Sequence, residues 1–278
     1  MAATVLLGSA ITACGGGGST ADVPATPTPN PTVSATVSGV TTDTLMYSKV
    51  TKVTVTGQNL DQGIAVTAAS CTGMSEQAGG TASVRSYSCT ANVSGAMAIV
   101  VKSPAGATLA TISPVVPAPQ VTISTSLGDM VIELYPANAP LTVNNFLKYV
   151  SSNFYTNLIF HRTVPGFVIQ GGGLDAALKE SATNPAIKLE MPNGLSNLRG
   201  TIAMARTEVL DSATSQFFIN TVDNTRLDTA GGGYAVFGKV VTGLRSVDAI
   251  VAVPTKSVGD YDNVPVTPVT ILSATQTR

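Results

Sequence analysis

A chain of 278 residues with 11% charged side chains, 26 glycines and 16 prolines is far less ionic than an average soluble domain. Fifteen basic against 16 acidic residues leave a formal charge of -1, so no basic face is expected for phosphate, and nucleic acid is not an expected partner. One histidine and three scattered cysteines cannot supply a tetrahedral ligand set at standard spacing, which argues against a metal centre.

The chain opens with MAATVLLGSAITACGGGGS, a short apolar run followed by small residues and Cys14. ITAC fits the bacterial lipobox, whose cysteine receives lipid, so residues 1–14 read as a lipoprotein signal peptide. The run is too short to cross a bilayer as a helix. It also lacks the Lys or Arg that precedes the apolar run in a signal peptide. Residues 15–32, Gly-rich and then alternating in Pro, read as a tether. The expectation is a cell-envelope lipoprotein facing the periplasm and held to a membrane through lipid on Cys14. Gly15, where inner-membrane retention favours Asp, points to the outer membrane if the organism has two.

Residues 33–116 read as a small β-sandwich. VTKVTVTG alternates Val53 and Val55 with Lys and Thr, as a strand with one buried face does, and further short strands follow between turn clusters. VTVTGQNL is similar to the opening of immunoglobulin-like TIG modules. Glu76 and Arg85 read as isolated surface charges, so a spacer or protein-binding role is expected. Cys71 and Cys89 are either two buried thiols or a disulfide; export to an oxidising compartment favours the disulfide.

Pro114, Pro117 and Pro119 mark a boundary, and residues 120–278 read as one further domain. VTISTSLGDMVIELY gives two strands about a Leu-Gly-Asp turn. APLTVNNFLKYVSSNFY reads as a helix with Pro140 in its first turn and with Val143, Phe146, Leu147 and Val150 on neighbouring rows. Strands follow at LIFHRTV, FVIQGG, TIAMAR, FFIN and YAVFGKVV. A second helix spans about Leu244 to Val251, with Leu244, Val247, Ile250 and Val251 inward, and VTPVTILSAT closes the sheet. The fold class expected is dominated by β-structure, ending in a closed antiparallel barrel with two helices. Gly171–Gly173 and Gly231–Gly233 lack the Lys-Ser/Thr of a phosphate loop and read as turns. Strand alternation assigns Phe217 to the core and Phe218 to the other face. By the same rule His161 points away from Arg162 and reads as a hydrogen-bonded core residue.

FHRTVPGFVIQGG, GTIAMAR, SATSQFFIN and YAVFGKVV, in that order, resemble the cyclophilins over about Val121 to Thr275, nearest to their bacterial periplasmic branch. The resemblance implies an eight-stranded barrel capped by two helices and a peptidyl-prolyl cis-trans isomerase without cofactor, acting on proline-containing segments of exported proteins; a monomer is expected. It makes Arg162 the catalytic residue. Phe167, Val168, Gln170, Ala205, Arg206, Gln216, Phe218, Leu227 and Tyr234 become the proline pocket and peptide groove. Arg226 stands where the family has Trp or Phe, so cyclosporin binding is expected to be weak. The alternative is a proline-peptide-binding protein or holdase with little turnover. A Ser-His hydrolase is disfavoured, because no G-x-S-x-G elbow occurs.

Overall fold

The computed structural model describes residues 33–278; the expected signal segment 1–14 with Cys14, and the tether 15–32, lie outside the described residues. Residues 36–116 form a four-stranded sheet in the order Thr36–Thr42, Val50–Gln58, Val84–Ala91, Cys71–Glu76, and a three-stranded sheet of Ala65–Thr67, Ile99–Lys102 and Thr108–Ile112. Val53, Val55, Ile99 and Val101 are fully buried, as alternation requires of one-sided strands, and Leu60 joins them from the turn at Leu60–Gln62. Cys71 and Cys89, on adjacent strands with Cα atoms 5.6 Å apart, form a disulfide. Glu76 and Arg85 are not isolated charges. They lie diagonally across one strand pair and form an ion pair that nine residues of sequence separation concealed.

Residues 120–276 contribute eight antiparallel strands that close on themselves. Around the barrel they run Gln120–Thr125, Gly128–Leu134, Val236–Thr242, Thr201–Met204, Phe217–Asn220, Val168–Asp175, Leu158–Thr163 and Val269–Gln276, and the last pairs with the first. Closure removes every sheet edge. Helix α1 (Pro140–Ser151) packs Val143, Phe146, Leu147 and Val150 inward. It stops before the apolar pattern does, because Asn153 turns into the left-handed region (φ 56°), freeing Phe154 and Tyr155 to fold back. Phe146, Tyr155 and Phe160 then surround Phe217 edge-on at 5.5–5.9 Å between ring centroids. Helix α2 (Leu244–Val251) buries Val247 and Ile250, but Leu244, expected inward, is exposed. Two turns present only one row to the barrel, and Leu244 falls off its end.

Two segments differ from the sequence expectation. Gly171–Gly173 lie inside a strand rather than a turn, and added side chains would collide with Ile159, Phe160, Tyr155, Phe217 and Gln216. Thr255–Val258 and Tyr261–Pro265 form an additional hairpin about Gly259. The stretch TKSVGDYDN has too few apolar residues to announce a strand.

Helix α1 begins after Ala139, which has no side chain able to cap it. The orphan amides are met from a distant loop: Glu190 accepts from Leu141 N (2.9 Å), Thr142 N (2.8 Å) and Thr142 Oγ1 (2.7 Å). Glu190→Ala is expected to cost about 1–2 kcal/mol, read as a lowered midpoint in urea denaturation of the intact chain.

Candidate active site

The site lies on the outer face of the barrel and is built by one row of cross-strand neighbours. Arg162 is paired with Gln170, Gln170 with Phe218, and Phe218 with Ala203, so four side chains from four strands point the same way. Strict alternation would put Arg162 on the same side as Phe160, which is in the core. A β-bulge prevents this: Phe160 pairs with Gly171 and Arg162 with the very next residue, Gln170. The extra residue is His161. It therefore does not face simply away from Arg162, and both border a common cleft described below. Phe217 is in the aromatic core and Phe218 on the site face.

Nine of the ten expected site residues line one cleft of about 220 Å³: Arg162, Phe167, Val168, Gln170, Ala205, Arg206, Phe218, Leu227 and Tyr234. Gln216 borders the two adjoining clefts instead. Val168, Phe218 and Leu227 are buried and form an apolar socket with Phe167 packed against it. Phe167 sits at the rim, its carbonyl accepting from Thr221 N, Thr221 Oγ1 and Asn224 Nδ2 at 2.9–3.0 Å. Leu227 is carried on a short turn held by Asp228, which accepts from Ser196 and from the backbone and side chain of Asn197. Burial pushes the Asp228 carboxyl up, but these donors outweigh it and hold the group below its usual value.

Arg162 Nη1 donates to Gln170 Oε1 at 3.5 Å, and Gln170 Nε2 donates to Gln216 Oε1 at 3.0 Å. The relay fixes the guanidinium at the edge of the socket. Arg206 uses its side chain as a clasp: it donates to the carbonyls of Gly231 and Gly233 and lies 4.6 Å over the Tyr234 ring. Arg226 is placed 5.0 Å from the Phe167 centroid, at the mouth of the cleft. Thr221, Asn224 and the clasp by Arg206 were not legible as site features, because each acts through a backbone carbonyl rather than a motif.

Residues 120–276 match the family model described as cyclophilin type peptidyl-prolyl cis-trans isomerase/CLD. The chain belongs to the cyclophilin family. Peptidyl-prolyl cis-trans isomerase A of Dickeya dadantii is 54% identical over 156 residues, which are 55% of this chain and 82% of that one. Peptidyl-prolyl cis-trans isomerase B of Escherichia coli K12 is 49% identical over 160 residues, 56% of this chain and 98% of its own. A solved cyclophilin-type isomerase of Cryptosporidium parvum, crystallised in the presence of the dipeptide Ala-Pro, is 27% identical over 57% of this chain and 99% of that one, with a TM-score of 0.49. The activity of this cyclophilin is peptidyl-prolyl cis-trans isomerisation.

His161 is held in its neutral form. Burial, with a further push from the Arg162 charge, lowers its imidazole from 6.5 to about 4. The ring is thus neutral at pH 7, and contrary to the hydrogen-bonded role expected, Nδ1 is buried without a partner. In the unfolded chain the ring protonates below pH 6.5, whereas in the folded chain it resists until about 4. This increment to stability is intact above pH 6.5 and drains away as pH falls towards 4, about 3 kcal/mol in all. Urea midpoints of the parent and His161→Gln between pH 4 and 7 check this: the parent should lose more stability on acidification. A second variant tests the relay. A Cβ on Gly173 would lie 2.5 Å from Gln216 Cγ. Gly173→Ala should therefore displace Gln216 and lower kcat/KM by about tenfold, since small misplacements are costly in catalysis.

Proposed function

We propose that this cyclophilin acts by non-covalent catalysis, with Arg162 stabilising the twisted prolyl amide, and that it assists the folding of exported proteins. The observation that carries the mechanism is a guanidinium anchored by Gln170 at the lip of an apolar socket. Rotation about an X-Pro bond breaks amide resonance, at a cost of about 18–20 kcal/mol. No covalent bond is made and no proton moves. As the bond twists, the prolyl nitrogen regains a lone pair that a donor can bind. Arg162 offers a planar fork of N–H donors. Phe167, Val168, Phe218 and Leu227 match the shape of a pyrrolidine ring and keep water from it. A hundred-thousand-fold acceleration needs about 7 kcal/mol. A charge-assisted hydrogen bond in a drier cleft, added to selection of the twisted conformer, is of that order.

The cellular setting follows from the N-terminal motif. Lipid on Cys14 would hold the chain to a membrane of the envelope with the barrel facing the periplasm, the outer membrane being favoured by Gly15. The Cys71–Cys89 disulfide supports an oxidising compartment. Labelling of Cys14 with a fatty-acid analogue in a bacterial host, and its loss in Cys14→Ser, tests the attachment.

A holdase with little turnover is the second reading, favoured by the exposed Arg226, which lies over the Phe167 ring beside the cleft and has no ion-pair partner among the described residues. Cis-to-trans rates for an Ala-Pro peptide, measured on the intact chain alongside peptide affinity, separate the two. The isomerase reading expects strong acceleration that falls about 100- to 1,000-fold in Arg162→Ala, with Arg162→Lys restoring little because the fork is lost. Binding without acceleration would leave the holdase. Weak cyclosporin binding, strengthened by Arg226→Trp, is the expected result of a titration.

A further inference from the structure

A second cleft, of about 350 Å³, adjoins the proline socket and shares Arg162 and Gln170 with it. Gln216, the end of the relay, also borders it, while its acidic walls come from segments that the isomerase mechanism does not use. Glu180 stands on one side, and the hairpin of Thr255–Val258 and Tyr261–Pro265 contributes Asp260, Tyr261 and Asp262 on the other. Three carboxylates thus face one guanidinium. All three carboxylate residues are exposed, and neither Glu180 nor Asp260 is engaged in an ion pair among the described residues, while Asp262 accepts only from Ser257 Oγ.

The floor of the cleft is His161, the residue extruded by the bulge. It is 5% exposed, its Nδ1 has no partner, and its ring makes no hydrogen bond among the described residues. Leaving a buried ring unsatisfied costs free energy. A neutral imidazole accepts a hydrogen bond from a cation, whereas a protonated one would repel it. No group of three or more His, Cys, Asp or Glu among the described residues converges as metal ligands do, so the spread of the carboxylates suits an organic cation on a flexible stem. Leu174 and the Tyr261 ring give such a stem an apolar surface to lie on.

We propose that this second cleft is a subsite for a lysine or arginine side chain flanking the substrate proline. The inference rests on the isomerase reading, because the shared Arg162 is what places the flanking residue beside the socket. It makes the enzyme selective among proline sites: a basic neighbour is drawn in by Glu180, Asp260 and Asp262, and an acidic neighbour at the same position is repelled.

The test uses the intact chain and Ala-Pro peptides carrying Lys, Gln or Glu one or two positions before or after the Ala-Pro pair. At one of these positions kcat/KM should be about three- to thirtyfold higher for Lys than for Glu, the range that a few partly exposed ion pairs supply. That ratio should fall towards one at about 0.5 M salt, and towards one in the combined Glu180→Gln, Asp260→Asn, Asp262→Asn variant. Because a ratio within one variant is read, a general loss of activity does not disguise the result; Glu180→Gln alone, on a separate segment, gives a partial fall if the combined variant does not fold. Equal rates for Lys and Glu at every position, or a preference that survives the substitutions, would overturn the proposal. Calorimetric affinities of the same peptides rank them independently of turnover. Absence of catalysis would then strike the isomerase reading, while absence of a charge preference strikes this one.

Discussion

The constraint on which the site depends is that every strand of a closed barrel has two faces and both are spoken for. The inner face must fill a core with Phe146, Tyr155, Phe160 and Phe217, leaving the outer face for chemistry. A strand that sends Phe160 inward would by simple alternation send Arg162 inward as well, where an unpaired guanidinium is intolerable. One inserted residue resolves the conflict. The bulge at His161 rotates Arg162 to the outer face and sets it beside Gln170, and the row through Phe218 and Ala203 follows from ordinary pairing. The glycines opposite the bulge and beside Gln216 leave the space this arrangement needs.

The same constraint explains how much was readable. The barrel strands and both helices were legible because their periodicities are enforced by a closed core; α2 was read with both its ends in place. That most of the cleft-lining residues lie together was legible through motif resemblance, since four short runs fall on segments that the fold gathers. What escaped was whatever depends on local departures from periodicity. The bulge adds one residue to a pattern of period two, and nothing in FHRTV announces it. The hairpin at 255–265 is too polar to read as strand, and Gly171–Gly173 resemble a turn in every respect except their partners. Likewise Glu190 reaches α1 from some 50 residues away, a distance at which sequence spacing carries no information about contact.

Arginine recurs around the cleft in three different capacities. Arg162 is held at the cleft by a side-chain relay, Arg206 is spent on loop carbonyls, and Arg226 rests against Phe167. Their similar chemistry conceals different freedoms: the first two are held by named acceptors, whereas the third, among the described residues, is held only by the face of a ring. In a chain with so few charges, such a concentration near one opening sets the local potential that an approaching peptide meets.

The loop between the first two strands adds a constraint of another kind. Tyr47 is buried; its hydroxyl donates to Asn144 Oδ1 on α1 at 3.1 Å, and its carbonyl accepts from Gln276 Nε2 on the last barrel strand at 2.9 Å. Two barrel positions are, in this chain, committed to a seam. The hydroxyl and the carbonyl of Tyr47 thus give Asn144 and Gln276 partners from within the chain, and the structural unit here is larger than the catalytic fold.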